Sequence, residues 1–353
     1  MNQAKNSMVA DAVRKGLDLL GTEGERIRSI ADLSAHYKAP YLYAVAGKPE
    51  MAAYYASLMT KHYQQTDGDF RTTSREKGWY HLPASPANRY IYSNGWIIMG
   101  LRKLGCFGPA DAAIGFVRGF QDADLGGFYS RFDPVHGLID TDYIDSSSTS
   151  AGGLALLSCG HVEDARRAGD FLLKLLRAQP EPNENFYTSW HRKTGLMTDV
   201  WRAEEDPNSV RGRKQYCLTS RTTSLEEMTW LIGKPMKFLS KLYDQTRVPT
   251  YLDAAQSLFD FFHRLDSERW HTLTSCKVMW ASAELFRLTH LAHFSETADR
   301  IMTSICEQQD PSGTWVNRLF YDSPTEQPIE AQLDVVQEMC AELLDTAFDL
   351  NHG

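Results

Sequence analysis

The chain has 353 residues, of which 42% are hydrophobic, 23% charged and 11% aromatic, enough for a sizeable core in one large domain or two ordinary ones. Its 24 glycines and 14 prolines make up about a tenth of the residues, which excludes a collagen-like or broadly disordered chain. Lysine and arginine number 37 against 45 acidic residues, a net charge of -8, the wrong balance for a non-specific nucleic-acid binder or for adhesion to an anionic membrane. No apolar run is long enough to span a membrane. The first twenty residues lack the apolar core of a signal peptide and read as an amphipathic helix. Six cysteines are scattered with no CxxC pair, so reduced core thiols are expected in a soluble, cytoplasmic protein.

Along the chain the apolar spacing is helical almost everywhere, and no convincing period-two strand stands between turn signals. The helices come in pairs. First members are expected at about 38–46, 88–104, 146–159, 224–244 and 272–290, with partners at about 49–65, 108–121, 162–179, 249–265 and 294–309. Turns within a pair are short, at 47–49, 105–108, 160–161, 246–249 and 293–294. Connections between pairs, around 66–87, 122–145, 180–223 and 310–328, are mostly far longer than the usual median of about 4–6 residues. The fold class expected is all-α, a repeat of roughly 50–60 residues with one helical hairpin in each.

Three partner helices end alike. Gln65 leads to Gly68 and Phe70, Gln121 to Gly126 and Phe128, and Gln309 to Gly313 and Trp315, each time through an acidic residue. The glycine would stop the helix with a positive φ, and the aromatic would pack back under the next repeat. These units resemble the α/α-toroid proteins. Residues 309–315 have the Q-x3-G-x-W form of squalene cyclases and related terpenoid cyclases, and Gly126, Gly127 and Phe128 are similar to the GGF turn of protein prenyltransferase β-subunits. The resemblance implies an (α/α)6 toroid, a ring of inner helices wrapped by outer ones. The chain, 1–353, then reads as one domain, with helices at about 5–20 and 329–349 closing the ring as a sixth pair.

With short turns on one face, the long connections gather on the other, over the N-termini of the inner helices. That rim is the expected mouth of a central cavity. Three stretches there hold candidate chemistry. Asp142, Tyr143 and Asp145 open the third inner helix; Asp145 is either its N-cap or a general acid or base with a carboxyl raised by burial. Trp190 and His191 follow the third pair, the histidine being either a proton-transfer group or structural. Arg221 precedes Ser224 and Glu227, which read as a capping box, and is itself a candidate for substrate contact. Tyr92, Trp96, Trp230 and Trp280 fall on inner helices, where aromatic faces suit hydrophobic or planar substrates, developing positive charge or sugar rings. No zinc pattern, phosphate loop or GxSxG elbow is present, so no metal and no cofactor is expected.

The usual initiators of the resembled cyclases are missing. The DxDD acid becomes Asp140, Thr141, Asp142 and Tyr143, and neither a DDxxD motif nor a prenyltransferase zinc set can be assembled. A second resemblance competes. Residues 126–142 are similar to a segment of N-acylglucosamine 2-epimerases, and residues 145–151 to the DSSASA segment of unsaturated glucuronyl hydrolases, which implies an acid/base role for Asp145; the resemblance does not place the epimerase histidines. The preferred expectation is a non-redox cyclase or isomerase of a hydrophobic, polyene or terpenoid-like molecule, working by substrate folding, with a pericyclic (Diels–Alder type) closure among the reactions that fit. Carbohydrate chemistry on Asp145 and His191 and a non-catalytic ligand-binding role stand as alternatives. The expected partner is a small molecule, with neither nucleic acid nor membrane. Aromatic and aliphatic cavity walls would favour the first reading, converging carboxylates and histidines the second.

Overall fold

The computed structural model describes residues 3–22, 24–78, 90–198, 217–219, 228–265, 267–318 and 321–353. Its helices in chain order are α1 (Gln3–Thr22), α2 (Gly24–Arg28), α3 (Ala39–Val45), α4 (Pro49–Leu58), α5 (Tyr92–Lys103), α6 (Phe107–Arg118), α7 (Ser146–Ser158), α8 (Val162–Arg177), α9 (Trp230–Thr246), α10 (Pro249–His263), α11 (Cys276–Thr289), α12 (Ala292–Glu307) and α13 (Ile329–His352). None is long and apolar enough to cross a membrane.

Six of them form an inner ring. α3 packs on α5, α5 on α7, α7 on α9, α9 on α11, α11 on α13, and α13 returns to α3. The outer ring is α4, α6, α8, α10, α12 and α1. The sixth hairpin is therefore built from the two chain ends, α13 inside and α1 outside, as the repeat count anticipates. The outer helices are amphipathic: α8 buries Ala165, Ala168, Phe171, Leu172 and Leu175 and exposes Glu163 and Arg177, acid in its first turn and base in its last. Inner helices are covered on nearly all sides. α7 meets its neighbours with small residues, and its buried Ser150 returns its hydroxyl to the Ser146 carbonyl at 2.6 Å.

Each short turn between an inner helix and its outer partner holds one left-handed residue. Gly47, Gly105 and Gly160 do so at φ of +65°, +72° and +80°, whereas Arg247 (56°) and His290 (57°) take the same conformation with a side chain. The opposite turns are equally regular. Gly68, Gly126 and Gly313 sit at φ of +88°, +81° and +91°, and a Cβ on them would come within 2.3–2.4 Å of the carbonyl oxygens of Ala112, Arg167 and Lys15. These carbonyls belong to α6, α8 and α1, the next outer helix each time, so only glycine permits the approach. Phe70, Phe128 and Trp315 are buried beneath, and the Trp315 indole donates to the Ile305 carbonyl at 2.8 Å.

The helical class holds, with two local corrections. The rim carries a four-stranded antiparallel sheet in the order β1 (Tyr129–Asp133), β2 (Leu138–Asp145), β4 (Ser189–His191), β5 (Gly195–Leu196), and a second, two-stranded sheet pairs β3 (Asn185–Tyr187) with β6 (Cys217–Thr219). Apolar alternation is weak in β2, whose side chains are mostly exposed or half-buried. The readable signal was the turn: Asp133 accepts the N–H groups of Val135 (2.8 Å) and His136 (3.3 Å), and Gly137 takes φ of +68°. The second correction is at α4, which ends at Leu58 and continues as one π-helical turn to Tyr63.

Candidate active site

The rim sheet gathers most of the motif residues. Asp145 ends β2 and caps α7: one carboxylate oxygen accepts the Ser147 and Ser148 N–H groups at 2.7 and 2.8 Å, and the other accepts the Ser148 hydroxyl at 2.6 Å. Both oxygens are thus committed to the helix N-terminus. Asp142 is exposed on β2. Tyr143 pairs with His191 across the sheet, ring centroids 5.5 Å apart and edge-on, and the Arg131 guanidinium lies 4.3 Å from the Tyr143 centroid. The Thr194 N–H donates to His191 Nδ1 at 3.3 Å. Trp190 is buried against Phe171 with Lys174 over its face. Arg221, Ser224 and Glu227 lie outside the described residues.

Inner helices enter from the rim, so residue order along each measures depth. At the centre Trp96 stacks on Trp280, centroids 6.0 Å apart and 16° from parallel, and Tyr41 meets Trp96 edge-on at 5.3 Å. Lysines surround these rings. Lys234 Nζ is 3.8 Å from the Tyr92 centroid and 3.1 Å from Ser147 Oγ. Trp230, at the start of α9, lies with its ring centroid 5.7 Å from the same ammonium. Lys277 is 4.8 Å from Trp96 and 5.6 Å from Trp280, Lys38 lies 5.9 Å from Tyr92, and Lys237 reaches Trp280 from below at 4.5 Å. Such contacts gain most where the cation is desolvated, and Lys38, Lys237 and Lys277 are buried.

The counter-charges come largely from one helix. Lys38 pairs with Asp334 (2.7 Å) and Glu338 (3.1 Å), and Lys277 is clamped between Glu338 and Glu342. The Tyr92 hydroxyl donates to Glu338 at 2.7 Å. One to two turns deeper, Lys237 bridges Glu284 (2.9 Å) and Asp349 (3.4 Å), Lys241 and Arg287 join Glu284, and the Tyr41 hydroxyl donates to Asp345 at 2.6 Å. The Trp96–Trp280 stack separates the two charged layers. Sequence reasoning missed all of these charges. Their signal was present: Asp334, Glu338, Glu342, Asp345 and Asp349 recur at steps of four and three, as do Lys234, Lys237 and Lys241.

Carboxyls within this cluster are driven in opposite directions. Burial would raise Glu338, yet Lys277 and Lys38 outweigh it and hold the group well below the usual carboxylate range. Burial lifts Glu342, with Lys277 only partly offsetting it, and lifts Asp334 in the same way against Lys38. For Lys277 burial favours the neutral amine, but Glu338 and Glu342 reverse that and keep it charged. Adjacent carboxyls pushed apart are the arrangement from which acid and base roles are drawn.

Tyr92, Trp96, Trp280, Leu154, Lys234 and Lys277 help enclose a cavity of ≈ 20 Å³, space for about one water-sized group. The Nε1 atoms of Trp230 and Trp280 are buried and have no hydrogen-bond partner among the described residues.

No protein-family model and no curated protein matches this chain. Solved structures do. A D-mannose isomerase aligns at TM-score 0.59 and 11% identity over 89% of this chain and 87% of its own. A GH76 α-mannanase from Bacteroides thetaiotaomicron aligns at 0.65 and 12%, covering 97% of each chain. A type II terpene cyclase from Scytonema, in complex with geranylgeranyl dihydroxybenzoate, aligns at 0.60 and 11% over 99% of this chain and 100% of its own. At such identities the likeness speaks for architecture, and with the two closed rings it makes this chain an α/α toroid.

Proposed function

We propose that the chain is an enzyme, a non-redox cyclase or isomerase acting on an unsaturated small molecule at the toroid centre. The observation that carries this reading is the wall itself, the faces of Tyr92, Trp96 and Trp280 with the ammonium groups of Lys234 and Lys277 set over them. Flat aromatic faces orient a conjugated skeleton into a reactive shape, which is most of what a ring closure or a double-bond shift requires. Lys277, held charged by Glu338 and Glu342, is placed to stabilise negative charge growing on a substrate oxygen without reorganising. Glu342, whose carboxyl burial raises and Lys277 partly lowers again, shares that lysine with Glu338 and fixes its position. Asp145, Asp142 and His191 then shape the entrance, with Asp145 acting as a cap.

A second reading, carbohydrate chemistry, is favoured by one observation: Asp334, Glu338, Glu342 and Glu284 converge on a centre that also holds stacked tryptophans. A thermal-shift screen of unsaturated carbonyl compounds against hexoses and uronic acids separates the two, because a ligand at about 100 times its Kd adds roughly 2.7 kcal/mol. Product analysis on any hit tests catalysis. Turnover of an unsaturated hit that is lost in Lys277→Met under conditions where circular dichroism shows that variant folded, and kept in Asp145→Asn, supports the proposal. Stabilisation by sugars alone overturns it, and binding with no product in any mixture makes the chain a ligand-binding protein.

A further inference from the structure

The outer wall carries a groove far larger than the central cavity. It lies between α10 and the C-terminal part of α8, bordered by β3, and its volume is ≈ 400 Å³, within the range of about 300–1,000 Å³ usual for small-ligand sites. None of its lining residues lines the central cavity. Leu173, Leu176, Phe186, Ala254, Leu258 and Phe261 give it an apolar surface. The Gln179 amide at its rim end is fully engaged, accepting the Tyr187 N–H at 2.9 Å and donating to the carbonyls of Leu175 (3.1 Å) and Tyr187 (2.9 Å). Arg177 of α8 and Asp253 of α10 stand on the two banks. Both are exposed, and neither side chain has an ion pair or hydrogen bond among the described residues.

Other seams between outer helices are clasped by charge. Arg118 of α6 reaches Asp164 of α8 at 2.9 Å, and Lys5 of α1 pairs with Asp299 of α12. The seam between α8 and α10 is tied farther from the rim, where the Tyr251 hydroxyl donates to Asp170 at 2.8 Å. Nearer the rim its two opposite charges are held apart by the apolar cleft. We infer that this groove is a binding site for a short apolar peptide, taken up as its zwitterion. The C-terminal carboxylate meets Arg177, the N-terminal ammonium meets Asp253, and apolar side chains lie on the surface between them. An arginine fork matches a carboxylate in shape as well as charge, and burial of the side chains adds apolar contact in the middle. A ligand with one charge, such as a fatty acid, would answer Arg177 and lay its tail against Asp253. The inference is independent of the reaction proposed for the toroid centre.

The test is titration calorimetry on the full chain. The probes are the tripeptide Leu-Ala-Leu, its N-acetyl form, its C-terminal amide, the polar tripeptide Ser-Ala-Ser, and octanoate as an amphiphile with one charge. The free tripeptide is expected to bind about threefold or more tighter than either blocked form, the size of an exposed ion pair. It should bind about tenfold or more tighter than Ser-Ala-Ser, which lacks the apolar side chains. Arg177→Gln should remove the cost of amidation and keep that of acetylation, and Asp253→Asn should do the reverse. Both positions are exposed, so the variants should fold, and circular dichroism checks that they do. No binding of Leu-Ala-Leu, equal affinity for its three end forms, equal affinity for Ser-Ala-Ser, or a blocking cost that survives its own variant overturns the assignment. Octanoate binding more tightly than the tripeptide, and more tightly still in Asp253→Asn, overturns it in favour of an anionic amphiphile. No turnover enters these measurements, so their outcome and that of the proposed reaction are separate.

Discussion

The rim sheet and the ring centre hold the same residue types in opposite circumstances. On the rim Arg131 and Asp140 face each other across two strands at 3.4 Å, both partly exposed, and Asp142 stands in solvent. At the centre Lys277, Glu342 and Lys237 are sealed among rings and helices, so each charge exists only because its partner does. The difference teaches where chemistry can be tuned: at the centre, burial and a neighbouring lysine drive Glu338 and Glu342 apart.

The largest effect that sharpens this contrast is on stability. Lys277→Met strands two carboxylates in the interior and is expected to cost about 3–5 kcal/mol, whereas Arg131→Ala should stay within about 0.5 kcal/mol; urea unfolding of both variants measures it. Equal losses would break the comparison.

A rim connection offers the next test. Lys77, buried with Asp69 and Asn94 under the Tyr90 ring, is lowered to about 8, mainly by burial against the opposing pull of Asp69. The unfolded chain therefore binds more protons between about pH 8 and the ordinary lysine value, and stability from this group rises with pH across that window. Relative to Lys77→Met, the unmodified chain should gain about 2 kcal/mol from pH 7.5 to pH 10, because a tenfold difference in proton affinity between folded and unfolded chain is worth about 1.4 kcal/mol. A flat difference would place the ammonium in contact with water.

Asp145 is a smaller matter. Asp145→Ala should cost about 1 kcal/mol by uncapping α7, and Asp145→Asn far less, since asparagine caps almost as well. Loss of turnover in the asparagine variant with its melting point intact would return the chemistry to the rim. Similar in size and opposite in sign is His290→Gly, which relieves a left-handed residue and is expected to stabilise by about 1 kcal/mol in thermal unfolding.

Much of the ring was legible in the amino-acid sequence because its turns are chemically marked. Gly47, Gly105 and Gly160 close hairpins, and the glutamine–glycine–aromatic turns ending at Phe70, Phe128 and Trp315 announce the repeat. Arg247 and His290 carry no such mark, since a left-handed residue with a side chain looks like any other. The β1–β2 hairpin was hidden because strands that lie on a rim need no apolar alternation. The central charges were hidden for a deeper reason. Acids at 334, 338, 342, 345 and 349 form a stripe that on most helices faces solvent, and only lysines from elements far away in the chain turn it inward.

The meeting of the two chain ends bears on how the molecule comes into being. The hairpin of α13 and α1 joins the end of the chain to its beginning, with Asn351 donating to Asn6 at 3.2 Å and Gly313 seated against Lys15. The apolar stripe of α1, with Val9, Val13 and Leu20, is covered by α13, which follows every other described helix in the chain. α1 can bury that face on α13 only after the five intervening hairpins have been made, and the carboxylates that make Lys38 and Lys277 tolerable inside come from that same later helix. Closure of the circle and neutralisation of its centre are a single late event, so the unfinished protein holds neither a sealed ring nor a finished pocket.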